Sequence, residues 1–136
     1  LLMPRWLPRF GPRRLLTLAM GLGVVRWLMV ARFPEVAALQ GGAQLLHAAT
    51  YGMYHAAAIS LIHRYFTGPL QGRGQAIYSS MTFGAGVSLG SFVAGSLWDT
   101  AGGAQTFYLA AGLAGAAALI AVGVVPARDR LYPAHA

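Results

Sequence analysis

The sequence has no cysteine. That excludes a disulfide framework, thiolate metal sites and a cysteine nucleophile at once. It also has little charge. Only 10% of its 136 residues are charged, against roughly 25% in ordinary soluble domains. A soluble core of this size needs a charged shell, and there are too few charges to build one. Acidic residues number three, all ten basic residues are arginine, and the formal charge is +7. A basic balance can signal nucleic acid, but the arginines would then cluster on one polar face or element. They lie instead in short segments between long apolar runs, so no nucleic-acid partner is expected and the pattern reads as membrane topology.

What is present is apolar: 57% of residues, in runs near the ~20 residues that a bilayer span needs. The runs are 15–33, closed by Pro34-Glu35, and 36–62, long enough to cross with tilt. Thr67-Gly68-Pro69 and Gly72-Arg73-Gly74 then break the chain, as Gly/Pro clusters do. The last two runs are 76–98, closed by Thr100-Ala101-Gly102-Gly103, and 106–125, closed by Pro126. Such lengths exceed strands, and Ala, Leu and Met outweigh β-branched residues. Helices also satisfy their own backbone hydrogen bonds, as lipid demands. The expected fold is an all-α membrane protein with four transmembrane helices in 15–125, a basic loop at 1–14 and a tail at 126–136. The first run has a basic flank like that of a signal peptide. Its apolar stretch is longer than a usual h-region, and Arg26 interrupts it, which favours a span.

The loops set an orientation. Arg5, Arg9, Arg13 and Arg14 precede the first run, Arg64 and Arg73 follow the second, and Arg128 and Arg130 follow the fourth. The opposite side holds Arg32, Glu35 and Asp99, so the arginine ratio is eight to one. By the positive-inside rule both termini are expected to be cytoplasmic. Trp6 and Trp98 suit interface anchors, whereas Trp27 lies too deep.

Polar residues inside the runs carry the functional information. Arg26 comes eleven positions after Leu15, about 16 Å along a helix and so near mid-membrane. A guanidinium there costs at least ~2.5–3.5 kcal/mol unless it meets a cavity or a partner. Two readings follow: Arg26 lines a translocation path and meets an anion, or it snorkels outward beside Arg32. His47 is also at mid-depth, with Tyr51 one turn on, His55 two turns on, and Gln40 and Gln44 extending the face. Such a stripe should face a bundle interior rather than lipid. Imidazoles titrate near neutral pH, so His47 could relay protons, or it could be a neutral residue bonded to another helix. For His55 the bonded reading is favoured, and His63 reads as interfacial beside Arg64. Asp99 reads as a solvated helix end, with a gating role as the alternative. The three histidines are spaced eight and eight without a carboxylate or thiol nearby, so no metal site is expected. Ser79 and Ser80 have no adjacent base, so no enzyme is expected.

In the third run, Ser80, Gly84 and Ser88 fall four apart, as do Gly86 and Gly90. Two faces without bulk suit close helix packing. Gly84-Ala85-Gly86 does not read as a nucleotide fingerprint, because no strand precedes it, and no cofactor is expected. The stretch 110–118 is similarly small.

Gly23-Val24-Val25-Arg26-Trp27, then Gln44-Leu45-Leu46-His47 and His55-Ala56-Ala57, resembles the phenylpropionate-permease-like branch of the major facilitator superfamily, related to lactose permease and the nucleoside–proton symporters. Gly74-Gln75-Ala76-Ile77-Tyr78-Ser79-Ser80 resembles the start of that family's eleventh helix. Pro8-Arg9-Phe10-Gly11-Pro12-Arg13-Arg14 resembles its basic loop motif Asp-Arg-x-Gly-Arg-Arg, with Pro8 at the Asp position and Pro12 at the first basic position after the Gly. The resemblance implies that the four helices match helices nine to twelve of a twelve-helix fold. It implies a secondary transporter moving a small organic solute with protons, in a bacterial inner (plasma) membrane. Arg26 and His47 fall where that family places coupling and substrate residues. The position one turn after the family's His, a Glu in lactose permease, holds Thr50 and Tyr51 here. Leu1-Leu2 reads as the tail of a preceding helix, so a C-terminal piece of a transporter, partnered by further N-terminal helices, is expected. The competing reading is a four-helix anchoring or assembly protein, which has no reason to bear a mid-membrane charge.

Overall fold

The computed structural model describes residues 3–127, and every regular element among them is helical. The elements are α1 (Met3–Arg32), α2 (Ala37–Tyr65), a 3-10 turn (Gly68–Leu70), α3 (Gln71–Ser79), a π segment (Ser80–Gly86), α4 (Val87–Ala101) and α5 (Gly103–Val124). The 3-10 turn, α3, the π segment and α4 run on as one rod. Leu1-Leu2 and the arginines expected in the tail, Arg128 and Arg130, lie outside the described residues.

The described part of the basic stretch, residues 3–14, is helical where a loop was expected. Its break is a single residue: Gly11 has φ 77° and ψ 159°, a conformation essentially confined to glycine. On a straight helix Met3 and Leu22 would stand about 28 Å apart. Instead Met3 and Trp6 share a cavity with Leu18, Leu22 and Met53. The chain therefore doubles back at Gly11, and residues 3–10 run beside 12–32. Pro12 opens the second limb, where its missing N–H costs no hydrogen bond. The outside of the bend is basic, with Arg9 and Arg14 exposed, Arg13 half-buried and the Arg9 guanidinium 5.6 Å from the Phe10 ring centre.

The second limb of α1 lies between α2 and α5 and packs against both. Leu15, Leu16 and Ala19 meet Met53, Ala57 and Ala121 in the core, with Met3, Trp6 and Leu7 closing it from the first limb. Small residues bring α5 close: a Cβ on Gly23 would lie 3.9 Å from Ala114, and one on Gly115 would lie 3.8 Å from Val24. Here the small stretch 110–118 does what the sequence suggested of it. The expected packing of Gly84 and Gly90 is not made among the described residues, since a Cβ on either would meet nothing within 4 Å. The rod they belong to touches α2 through α3 and α5 through α4, and α4 has no buried residue.

Among the described residues, three helices are long and apolar enough to cross a membrane: Met3–Arg32, Gly68–Ala101 and Gly103–Val124. The exception to the expected four is α2. It is 29 residues long, but the Gln–His–Tyr stripe and Arg64 dilute its apolar character. The third rod also begins earlier than expected. Pro69 sits in the first turn, where a proline is tolerated, so Gly68-Pro69 starts the rod instead of keeping the chain irregular. Gly74 is needed for space: a Cβ there would lie 2.5 Å from Phe66 Cγ and 3.0 Å from its Cβ. We expect Gly74→Ala to cost about 1–3 kcal/mol in a detergent unfolding titration. Gly72→Ala, with nothing within 4 Å, should cost nothing. Equal behaviour of the two would mean that Phe66 does not lock this corner.

The π segment was not expected from the sequence. A π turn brings the carbonyl of residue i against residue i+5, and a Cβ on Gly86 would lie 3.1 Å from the Met81 carbonyl oxygen. Gly86 thus has a local reason to lack a side chain, apart from any contact with another helix.

Candidate functional site

α1 packs against α2, and small residues on α1 meet large ones on α2. Ala19 and Gly23 leave room on α1, Ala114 of α5 backs them, and a cavity of 160 Å³ remains. Arg26 and Trp27 close its α1 side, and His47, Thr50, Tyr51 and Tyr54 close its α2 side. The structure therefore brings together Arg26, His47 and Tyr51, three residues that the sequence placed on two separate runs.

The Arg26 guanidinium lies over the neighbouring indole, with Cζ 3.7 Å from the Trp27 ring centre. Trp27 is held in turn by Phe107 of α5, stacked at 5.5 Å and 18°. A ring face attracts a cation and leaves the in-plane N–H groups free. Arg26 Nε is buried and has no hydrogen-bond partner among the described residues. Buried donors are normally paired, so an orphaned one on a cavity wall is a place for an acceptor to bind. No acidic residue occurs in α1, α2 or α5 to neutralise this charge.

The α2 face is a ladder of rings. His47 and Tyr51 have centres 6.2 Å apart at 52°, and Tyr51 stacks on His55 at 5.8 Å and 6°. His55 Nδ1 lies 3.3 Å from the Tyr78 hydroxyl on α3. His55 therefore contacts a neighbouring helix and reaches the cavity only through Tyr51. The Thr50 hydroxyl donates to the His47 carbonyl at 3.1 Å, so it is already engaged within its own helix. The expected extension through Gln40 and Gln44 is not seen. Gln44 is exposed and outside the cavity, and Gln40 Nε2 donates to the Phe33 carbonyl at 2.9 Å, closing the α1–α2 turn.

Sequence reasoning missed Tyr54, Thr50 and Tyr78. Tyr54 follows Tyr51 by three positions and could have been read into the stripe from helical spacing. The stretch 74–80 that resembles the family includes Tyr78 but gives it no role, because its importance comes from the α2–α3 corner. A second, larger groove of 710 Å³ lies between α4 and α5 beside Trp27. Its lining is almost wholly apolar and has no charged residue, so it offers no orienting chemistry.

The model of the MFS_1 like family matches residues 1–109. The chain belongs to this family. The match includes Arg26, His47, Tyr51, Tyr54 and Tyr78, and it ends within α5. No curated protein and no solved structure matches the chain. Membership in the MFS_1 like family and three membrane-length apolar helices together make this a major-facilitator-related membrane protein.

Proposed function

We propose that this MFS_1 like chain forms one wall of the substrate pathway of a proton-coupled secondary transporter, and that the substrate is a small organic anion. The observation that carries the proposal is the Arg26 guanidinium, held by Trp27 with Nε unpaired on a cavity shared with His47 and Tyr51. A charge that costs several kcal/mol in a bilayer is retained where it meets an opposite charge. A carboxylate accepting from Nε would supply it, with the rings of Tyr51 and His47 flanking an organic body. We read α2 as a fourth, pathway-lining span, since its polar residues would face water rather than lipid. Both termini would be cytoplasmic, as the arginine distribution favours. Tyr51 is 46% exposed, which suits a wall completed by further helices of the same transporter. The resemblance to the phenylpropionate-permease-like branch points the same way, toward aromatic acids.

Benzoate and its neutral isostere benzamide test the charge requirement on the complete protein in lipid vesicles. Benzoate should bind at least about tenfold more tightly, because the amide lacks the charge that strengthens the bond to Arg26. An inward proton gradient should accelerate benzoate uptake. Equal binding of the two probes would remove the anion from the proposal, and indifference to the gradient would remove proton coupling.

A further inference from the structure

Tyr78 joins two residues that lead separately to the cavity. Its hydroxyl lies 3.3 Å from His55 Nδ1, and its ring lies beside that of Tyr54, with centres 6.4 Å apart at 42°. Tyr54 and His55 are adjacent in sequence, so they leave α2 about 100° apart. Tyr54 continues into the cavity wall, whereas His55 stacks flat on Tyr51, which is also in that wall. One side chain on α3 therefore touches two α2 rings that point in different directions. The Tyr78 ring is itself held by an edge contact to Phe83 in the π segment, with centres 6.3 Å apart at 80°.

We propose that Tyr78 is a positioning residue, through which the third rod sets the rings of the anion cavity. This rests on the anion reading above. Among the described residues the rod touches α2 through α3 and α5 through α4, and α4 buries nothing. Tyr78 stands at the end of α3 beside the π segment, where a change of helical register displaces it directly. Movement of the rod then changes the hydrogen bond to His55 and the ring contact to Tyr54, and with them the attitude of Tyr51 and Tyr54 toward the anion. Arg26 supplies charge from α1, and Tyr78 supplies shape from a helix that does not line the cavity.

Tyr78→Phe removes one oxygen and keeps the ring contacts. In the complete protein in nanodiscs it should weaken benzoate binding about 2- to 10-fold, the worth of one neutral hydrogen bond. His55→Phe, which keeps a ring against Tyr51 and loses Nδ1, should weaken it by a similar factor. The double variant should be little worse than either single one, because both substitutions remove the same hydrogen bond. A purely structural role would lower stability without the second readout, the 15N signals of the His55 imidazole. These should move to a different tautomer balance in Tyr78→Phe, since the hydroxyl that selects the Nδ1 role is gone. Wild-type affinity in Tyr78→Phe would overturn the proposal, as would unchanged His55 signals. If the wild-type protein itself fails to bind benzoate, the anion reading falls. The His55 signals would still decide whether Tyr78 positions that ring.

Discussion

Replacing Arg26 by alanine should reduce benzoate affinity by about 10- to 100-fold and abolish uptake, while membrane insertion is kept or improved. The two effects have opposite signs because they come from different properties of one side chain. A hydrogen bond to a charged group contributes about 1.5–3 kcal/mol, and no second arginine lines the cavity to replace it. Insertion gains from the same deletion, since the guanidinium costs at least ~2.5–3.5 kcal/mol at the membrane centre. A merely structural Arg26 would behave differently, with folding and binding failing together. Arg26→Lys separates charge from geometry. It keeps the positive charge but loses the planar face that lies 3.7 Å from the Trp27 ring centre, and it loses Nε. Its affinity should fall between those of the wild type and Arg26→Ala. Radiolabelled benzoate binding and uptake, with a protease-protection assay for insertion, measure all three. Full uptake by Arg26→Ala would end the role assigned to this residue.

The second large effect is expected at Gly11. With φ 77° and ψ 159°, it occupies a region that a Cβ makes costly, by roughly 1–3 kcal/mol. Gly11→Ala should destabilise the protein by at least that much. The reversal brings Met3, Trp6 and Leu7 onto the core, so a straightened chain also exposes them. Gly21→Ala is the control. It sits mid-helix with nothing within 4 Å, and alanine there should be neutral or add up to about 1 kcal/mol. Unfolding in a denaturing-detergent titration reads both. Comparable stability of the two variants would show that Gly11 does not hold the bend.

The basic bend shows how far periodicity reads. Hydropathy sees residues 1–14 as arginine- and proline-rich and therefore irregular. The helix before Gly11 depends on Met3, Trp6 and Leu7, which pack on a core that includes Met53, Ala57 and Ala121, far along the chain. A window along the sequence cannot see such partners. The glycines of the third run show the converse. Their spacing suggested contact with another helix, yet Gly86 answers to a carbonyl in its own turn. Local spacing shows that bulk is absent without showing what uses the space.

Some properties need no tertiary structure. The scarcity of charge, the long apolar runs and the lopsided arginines determine a helical membrane chain, because lipid admits little else. The depth of Arg26 and the shared face of His47, Tyr51 and His55 follow from helical rise and turn. What only the fold decided is which of these residues meet. Arg26 and His47 face one cavity because Ala19, Gly23 and Ala114 let three helices approach there. Trp27 turns the guanidinium, Gln40 closes a turn, and Tyr78 arrives from a third element. Spacing along one helix specifies a face. The partner of that face is chosen by packing between helices, which no single run of sequence encodes.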